Sequence, residues 1–202
     1  MLCELVEKGR SMDNPFQLFK SWHSDALRLD VAEKYAVALA TSTPDGRPTV
    51  RMVLCKHWDE RGFVVYTNLE SRKGSQLTAN PFASLCFYWD ELKRQVRIEG
   101  RVEPVSADEA DAYFASRPRD SQIGAWASEQ SRPLENSGDL LKRVAQFGLK
   151  FGVGKVPRPP HWSGFRIVPE RIEFWEGKAF RLHDRFEFNQ NEGKWHRQAL
   201  YP

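Results

Sequence analysis

The sequence predicts a mainly β protein, in which antiparallel strands close into a barrel and helices lie at the periphery. Several segments rich in β-branched, aromatic and apolar residues are separated by turn signals, such as Pro44-Asp45-Gly46 and Asp59-Glu60-Arg61-Gly62. A second β-rich part follows a run of helical patterns. The chain has 202 residues, and one barrel with a single core is ordinary at this length. Because closure removes exposed strand edges, we expect one antiparallel barrel domain.

The first part of the chain predicts a helix followed by strands. Asn14 is a suitable N-cap, Pro15 takes the first helical position, and apolar residues at helical spacing extend to Leu29. We read the next three β-rich segments as a meander of hairpins, followed by two further strands. These five strands are expected over Tyr35 to Ser42, Thr49 to Trp58, Phe63 to Asn68, Ala83 to Trp89 and Arg94 to Val105.

Helical patterns interrupt and follow these strands. They predict helices over Ser71 to Ala79, Ala107 to Arg117, Asp120 to Ser128 and Ser137 to Phe151. The proline-rich stretch Val156-Pro157-Arg158-Pro159-Pro160 predicts a stiff connector. The last three strands are expected over Phe165 to Trp175, Arg181 to Phe188 and Lys194 to Ala199.

Composition excludes several classes of function. The chain has 30 basic and 27 acidic residues, a formal net charge of +3, and because the basic residues are dispersed we expect no nucleic-acid partner. Cys3, Cys55 and Cys86 match neither metal-ligand nor CxxC spacing, which favours reduced thiols and a cytoplasmic protein. The histidines also lack metal-ligand spacing, so no metal is expected. No apolar run reaches a membrane span, and Met1 to Asn14 is charged and lacks a signal-peptide core.

The segment from Ile172 to Arg185 carries a group of cationic or protonatable side chains. If a strand follows the turn at Glu176-Gly177, its period of two places Arg181, His183 and Arg185 on one face. Like charges this close are costly unless an anion lies among them, which suggests a phosphate or carboxylate site. A polar solvent face on an edge strand is the alternative.

A second candidate site lies at Ser71-Arg72-Lys73-Gly74. Ser71 is a good N-cap, so Arg72 and Lys73 fall in the first helical turn, where the helix dipole disfavours cations. A phosphate held by backbone N–H groups and by both side chains would compensate. The alternative is a solvated first turn whose cations cost little.

A third candidate site follows the capping box Ser106-Ala107-Asp108-Glu109. Tyr113 and Arg117 are four residues apart on one helical face, and Pro118 ends that helix so that Ser121 can begin another nearby. The three side chains would form a phosphate clamp. Alternatively, Tyr113 packs and Arg117 only covers it.

The strand from Arg51 to Lys56 adds two cations within an apolar run. Strict alternation places Arg51 and Lys56 on opposite faces, so two anionic groups, or a bulge, would be needed for both to bind anions. Charges at strand ends that reach water are the alternative for either residue alone.

Taken together, these residues resemble the pyridoxamine 5′-phosphate oxidases, which are FMN enzymes of the split β-barrel fold. The resemblance extends from about Tyr35 to Pro202 and includes several motifs in order. They are Arg51 to Lys56, Tyr66-Thr67, Ser71-Arg72-Lys73, Arg94-Gln95-Val96, Ser116 to Ala125, Gln130-Ser131 and Ile172 to Arg185.

The resemblance implies a set of site residues. The implied FMN contacts are Arg51, Met52, Val53, Leu54, Cys55, Lys56, Tyr66, Thr67, Arg72, Lys73, Gln95, Gln130, Ser131, Trp175 and Arg185. The implied substrate contacts are Lys56, Tyr113, Arg117, Ser121, Arg181, Leu182 and His183, with Arg181 and His183 placed at the reacting group. Arg51, Arg72 and Lys73 would then hold the FMN phosphate, and Lys56, Tyr113, Arg117 and Ser121 the substrate phosphate.

The same resemblance implies oxidation of pyridoxine or pyridoxamine 5′-phosphate to pyridoxal 5′-phosphate, with dioxygen as acceptor, hydrogen peroxide as product, and a homodimer with FMN between its subunits. Residues 1–202 would form one FMN-binding split-barrel domain. Its parts are an N-terminal arm and helix (1–30), main barrel strands (35–105), a helical insertion and connector (106–160) and C-terminal strands (164–202). Glu176 departs from the family pattern of Gln, His or Gly, and we expect it in a solvated turn. Rival interpretations are a related oxidase of a phenazine precursor and an FMN-binding protein without turnover.

Overall fold

The computed structural model describes residues 14–31 and 33–202. These residues contain five α-helices: α1 Pro15–Ala26, α2 Arg72–Ala79, α3 Ala107–Ser116, α4 Arg119–Ala127 and α5 Ser137–Phe151. They also contain nine strands: β1 Ala36–Ser42, β2 Pro48–Leu54, β3 His57–Asp59, β4 Gly62–Asn68, β5 Phe82–Trp89, β6 Arg94–Pro104, β7 Trp162–Glu176, β8 Asp184–Asn191 and β9 Lys194–Ala199. Of the helices in this part of the chain, none is both long and apolar enough to cross a bilayer.

One antiparallel sheet contains all nine strands, in the order β2-β1-β5-β6-β7-β4-β3, with β8 paired to β7 and β9 paired to β8. The 15-residue strand β7 organises it. One edge of β7 pairs with β6 from Phe165 to Glu176, while the other pairs first with β4 and then, from Arg171, with β8. Because two strands share that edge, the sheet divides into two branches, as expected of a split barrel.

A bulge between Glu99 and Gly100 bends β6 against β7. A Cβ atom at Gly100 would lie 2.0 Å from the carbonyl oxygen of Val168, so no larger residue fits without moving the backbone. The bulge therefore depends on glycine at this position.

The main core is aromatic, and α1 closes it. Phe19 of α1 is fully buried and meets Phe63, Trp58 and Phe87 edge-on, at ring-centroid distances of 4.9, 4.9 and 5.1 Å. Such geometry is favourable because the positive edge of one ring faces the negative face of another. The Asn14 side chain caps the helix by accepting the N–H of Phe16 at 2.8 Å. The predicted start of α1 is confirmed, although the helix ends at Ala26 rather than Leu29.

Two predicted strands are wrong in their boundaries. The strand expected from Thr49 to Trp58 is broken after Leu54, because β2 pairs with β1 up to Leu54, whereas β3 pairs with β4 from His57. The strand expected from Arg181 begins only at Asp184, after a 3-10 turn at Ala179–Arg181. The predicted common face for Arg181, His183 and Arg185 therefore does not exist. The remaining predicted strands and helices are confirmed to within three residues at each end.

Candidate active site

A cavity of about 1010 Å³ opens between β2, β4 and the helices α3 and α4. Much of the predicted site lies around it. The predicted residues that line it are Arg51, Met52, Val53, Leu54, Lys56, Tyr66, Thr67, Lys73, Tyr113, Arg117, Ser121 and Gln130. The break after Leu54 explains why both Arg51 and Lys56 reach this cavity, although strict strand alternation predicted opposite faces.

The first cation group of the cavity consists of Arg51, Arg72 and Lys73. Ser71 is buried and caps α2 by accepting the Gly74 N–H at 3.3 Å, as predicted, which places Arg72 and Lys73 in the first helical turn. Burial lowers the pKa of Lys73, and the charge of Arg51 lowers it further. Burial likewise lowers the pKa of Arg51, with a contribution from Arg72.

Neutral groups alone hold these cations in the structure. Arg51 donates hydrogen bonds to the Leu39 carbonyl at 2.9 Å and to the Thr41 hydroxyl at 2.8 Å. Among residues 14–31 and 33–202, no carboxylate forms an ion pair with Arg51, Arg72 or Lys73. A concentration of positive charge at a helix N-terminus without a counter-charge fits a bound anion.

The second cation group consists of Lys56 and Arg117, with the hydroxyls of Tyr113 and Ser121 beside them. Arg117 Cζ lies 4.8 Å from the ring centroid of Trp162. Its Nη1 is buried and has no hydrogen-bond partner. Burial lowers the pKa of Arg117, against a smaller opposing effect of Tyr113. An unsatisfied buried guanidinium N–H is costly, so an acceptor is expected in the cavity.

The corner between α3 and α4 fixes this group. Arg117 is the C-cap of α3 and Pro118 is the N-cap of α4, and both are extended, so the chain turns sharply before Ser121. The Gln122 side chain bridges the corner by donating to the Phe114 carbonyl at 2.9 Å and the Ala115 carbonyl at 3.2 Å. The turn that the sequence predicted from Pro118 is confirmed.

Stacked rings form one wall of the cavity. Tyr113 stacks on Tyr66 with centroids 3.8 Å apart, and Tyr66 stacks on Trp162 at 5.5 Å. Burial raises the pKa of Tyr66 to about 12 and also raises the pKa of Tyr113. Both phenols therefore keep their protons at neutral pH and can donate hydrogen bonds to an anion.

Several predicted residues do not line this cavity. Gln95, Trp175 and Arg185 lie side by side across β6, β7 and β8, and the His183 ring lies 4.6 Å from the Trp175 ring. Arg185 donates to Glu173 at 3.0 Å. We call this second set, with the turn at Arg181 and Leu182, the hairpin group. One chain alone therefore does not bring the hairpin group to the cavity.

Three other predicted contacts are also absent from the cavity lining. The Cys55 side chain is in the core, its Sγ lies 3.6 Å from the His57 carbonyl, and burial raises its pKa to about 12, so its thiol is not a cavity contact. Arg72 and Ser131 each adjoin a lining residue, Lys73 and Gln130.

The prediction missed some cavity residues. Trp162 and His57 are not among the predicted site residues, yet both line the cavity, and His57 meets Tyr113 edge-on at 5.0 Å. The position of His57 directly after Lys56 was the available signal. Tyr35, Asn68, Ser116, Pro118, Gly124, Ala125 and Ser128 also line it.

Glu176 was expected in a solvated turn, but it does not lie in one. Its side chain is 25% exposed and accepts hydrogen bonds from Arg94 Nε at 2.9 Å and Lys178 Nζ at 2.6 Å. Burial raises the pKa of Glu176, but the hydrogen bonds from Lys178 and Arg94 outweigh it, and the net pKa is lowered.

The branched antiparallel sheet defines a split-barrel protein, whose cavity is lined by cations and stacked aromatic rings. Comparison with known sequences narrows this class. A family model described as pyridoxamine 5′-phosphate oxidase matches residues 24–176, and one described as the pyridoxine 5′-phosphate oxidase C-terminal dimerisation region matches residues 162–202. The chain belongs to the pyridoxamine 5′-phosphate oxidase family.

Two similar proteins bear the name of this family. The pyridoxine/pyridoxamine 5′-phosphate oxidase of Rhodospirillum rubrum is 57% identical, with 94% of this chain and 96% of that protein covered. The enzyme of the same name from Maricaulis maris is 58% identical, with 94% and 86% covered.

Solved structures share the fold. PhzG from Burkholderia lata 383, solved in complex with tetrahydrophenazine-1-carboxylic acid, has a TM-score of 0.90 and 34% identity, with 95% of this chain and 94% of that chain covered. A pyridoxamine 5′-phosphate oxidase-related, FMN binding protein from Nostoc punctiforme has a TM-score of 0.75 and covers 94% of this chain and 98% of its own, and at 17% identity it supports the fold alone.

Proposed function

We propose that this protein oxidises pyridoxamine 5′-phosphate or pyridoxine 5′-phosphate to pyridoxal 5′-phosphate, with FMN as cofactor, dioxygen as acceptor and hydrogen peroxide as product. With pyridoxamine 5′-phosphate, water is also consumed and the amine leaves as ammonia. The observation that carries the proposal is the presence of two separate cation groups, both without carboxylate partners among the described residues, around one cavity. A phosphorylated cofactor and a phosphorylated substrate in one site require two such groups. The names of the relatives at 57% and 58% identity support the same reaction.

The residues fit FMN. Arg51, Arg72 and Lys73 supply positive charge at the start of α2, where free backbone N–H groups also favour a phosphate. Burial is the main cause of the lowered pKa values of Lys73 and Arg51, with a smaller contribution from a neighbouring positive charge, and a bound phosphate would offset that repulsion. When bound, FMN would supply the redox chemistry by accepting a hydride from the 4′ carbon of the substrate and passing electrons to dioxygen.

The second group fits the substrate phosphate. Arg117 has a buried N–H without an acceptor, and the hydroxyls of Tyr113 and Ser121 lie on the same cavity. Lys56 adds a second charge. This clamp would hold the far end of the substrate, so that binding energy from a non-reacting group orients the reacting carbon.

The hairpin group would complete the site from a second copy of the chain. All of its residues except Gln95 lie within residues 162–202, the region that matches the dimerisation model. On the edge strand β2, Val50 and Met52 are 69% and 64% exposed, so an apolar surface lies directly beside Arg51 and the cavity. Covering this surface with a partner subunit would remove both the exposed apolar area and the strand edge. Residues 1–202 would then act as one domain in each subunit.

In this arrangement, Arg181 and His183 of the second copy would cover the substrate ring. Arg181 would supply a fixed positive charge near the reacting substituent, and His183 would offer a ring nitrogen for a hydrogen bond or proton transfer. Trp175 and Arg185 would then face the flavin. The chain's own contribution is thus to bind, orient and exclude water around the reacting carbon.

The test is to purify the protein, record its visible spectrum, identify the released flavin by mass, and measure aerobic turnover of both phosphorylated vitamers. The proposal predicts FMN, and equal molar amounts of pyridoxal 5′-phosphate and hydrogen peroxide. Bound FMN without turnover of either substrate would contradict the oxidase and favour a flavin-binding protein.

The same assay separates a rival substrate. The likeness to PhzG raises oxidation of a phenazine precursor as an alternative, and a substrate without phosphate would leave Arg117 without an acceptor. We expect pyridoxine without its phosphate to be a much poorer substrate than pyridoxine 5′-phosphate. Equal activity on the two would argue for the rival interpretation.

A further inference from the structure

The segment 177–183, between β7 and β8, carries Arg181 and His183 but has little packing of its own. Phe180 and Leu182 are 93% and 67% exposed. Phe180 and Arg181 also have φ values of +57° and +61°, a left-handed conformation that non-glycine residues adopt at a cost. Other contacts must therefore hold this segment in place.

We infer that Glu176 is a positioning residue, which acts through Lys178 to set the orientation of His183. The inference rests on the proposed function, because it concerns the same reaction. Lys178 Nζ pairs with Glu176 at 2.6 Å and with Asp184 at 3.6 Å, so its side chain joins the two strands at the base of the segment. The Lys178 backbone N–H then donates to His183 Nδ1 at 3.2 Å.

Glu176 is itself tied to the core. Arg94, on the adjacent strand β6, donates to Glu176 at 2.9 Å and to Asp25 of α1 at 3.0 Å. The Arg94 guanidinium also lies 4.7 Å from the ring centroid of Trp22. Because α1 and β6 belong to the packed barrel, Glu176 transmits their fixed position to Lys178.

The contact with Lys178 selects one form of the His183 ring. Since Nδ1 accepts a backbone N–H, it carries no proton, and the neutral ring holds its proton on Nε2. Trp175 contacts the ring at 4.6 Å, which limits its rotation. Nε2–H is thus the group left to bond the substrate. Loss of the Glu176 carboxylate would remove the ion pair that holds Lys178. The His183 ring would then no longer be held in one tautomer and one orientation.

The test compares Glu176→Gln with Lys178→Met in the flavin-loaded protein. Each variant should lower kcat by about fivefold, the most that one part-exposed ion pair supplies. KM should change little, because the substrate phosphate would be held by Lys56 and Arg117. The double variant should lose no more than either single variant, because both changes break one connection. Glu170→Gln is the matched control, because it removes an ion pair between Glu170 of β7 and Arg101 of β6, the strands that also carry Glu176 and Arg94.

A readout independent of turnover is the nitrogen-15 chemical shift of the His183 ring, assigned by the signals lost in His183→Asn. The inference predicts protonated Nε2 in the wild type at neutral pH and mixed tautomers in Glu176→Gln and Lys178→Met. Unchanged His183 signals, or unchanged kcat in both variants, would overturn it. If Glu176→Gln does not fold, Lys178→Met alone decides. A wild type without turnover would refute the proposed function, while the His183 signals would still test the positioning role.

Discussion

Replacement of Arg117 by methionine gives a quantitative test of the substrate clamp. Methionine keeps much of the packing against Trp162 but removes the charge and the buried Nη1. A hydrogen bond between a charged donor and a phosphate contributes about 1.5–3 kcal/mol. Taking about 2 kcal/mol, the KM for pyridoxamine 5′-phosphate should rise roughly 30-fold. We expect kcat to change much less, because the contact is made equally in the ground state and the transition state.

The same substitution should not destabilise the protein without ligand. Burial lowers the pKa of Arg117, so the folded state disfavours its charge, and removing that charge does not weaken folding. Steady-state kinetics and thermal unfolding measure the two effects, with Arg101→Met, at a side chain that is 71% exposed, as the control. The reasoning is refuted by an unchanged KM, or by an equal loss with unphosphorylated pyridoxamine, because the latter cannot use the clamp.

Three further predictions follow from other parts of the molecule. Lys73→Met should weaken FMN binding about tenfold, measured by flavin fluorescence titration, whereas the exposed Lys142→Met should leave the affinity unchanged. Burial raises the pKa of Asp59, but hydrogen bonds from Arg61 outweigh this effect, so the pKa of Asp59 in the folded protein lies below 3.8. The stability that this shift provides is present above pH 3.8 and is lost as the pH falls through the pKa of Asp59 in the folded protein. Asp59→Asn should therefore flatten the fall of Tm in acid, and an unchanged acid profile would contradict this. Met52→Glu, at a side chain that is 64% exposed on β2, should convert a dimer to monomers in light scattering and abolish turnover, and an active monomer would contradict the shared site.

Features encoded by neighbouring residues could be predicted from the sequence. The start of α1 follows from Asn14 and Pro15, and the start of α2 from Ser71, because an N-cap acts on backbone groups two or three residues away. Tyr113 and Arg117 both line the cavity, although Arg117 is the C-cap of α3 and lies just outside the helix on which the spacing placed it. Candidate anion sites were thus visible as cations grouped at a helix start, at a helix end or along a strand.

Features that depend on contacts between residues far apart in the chain could not be predicted from the sequence. The strand breaks at Cys55 because β2 pairs with β1 and β3 pairs with β4, and a period-two pattern carries no sign of this change of partner. The turn at Phe180 contains no glycine, so its positive φ has no local signal. The partner of Glu176 is Arg94, 82 residues away, which is why a solvated turn was the expectation. Pairing of β6 with β7 decides that contact.

We propose that one cavity binds two phosphorylated molecules, FMN and the substrate, and that the substrate is oxidised there. The most direct measurement is aerobic turnover of pyridoxamine 5′-phosphate by the purified, FMN-loaded protein, with pyridoxal 5′-phosphate and hydrogen peroxide quantified together. We expect equal amounts of pyridoxal 5′-phosphate and hydrogen peroxide from the wild type, and a roughly 30-fold higher KM in Arg117→Met. Absence of pyridoxal 5′-phosphate from a protein that carries FMN would contradict it.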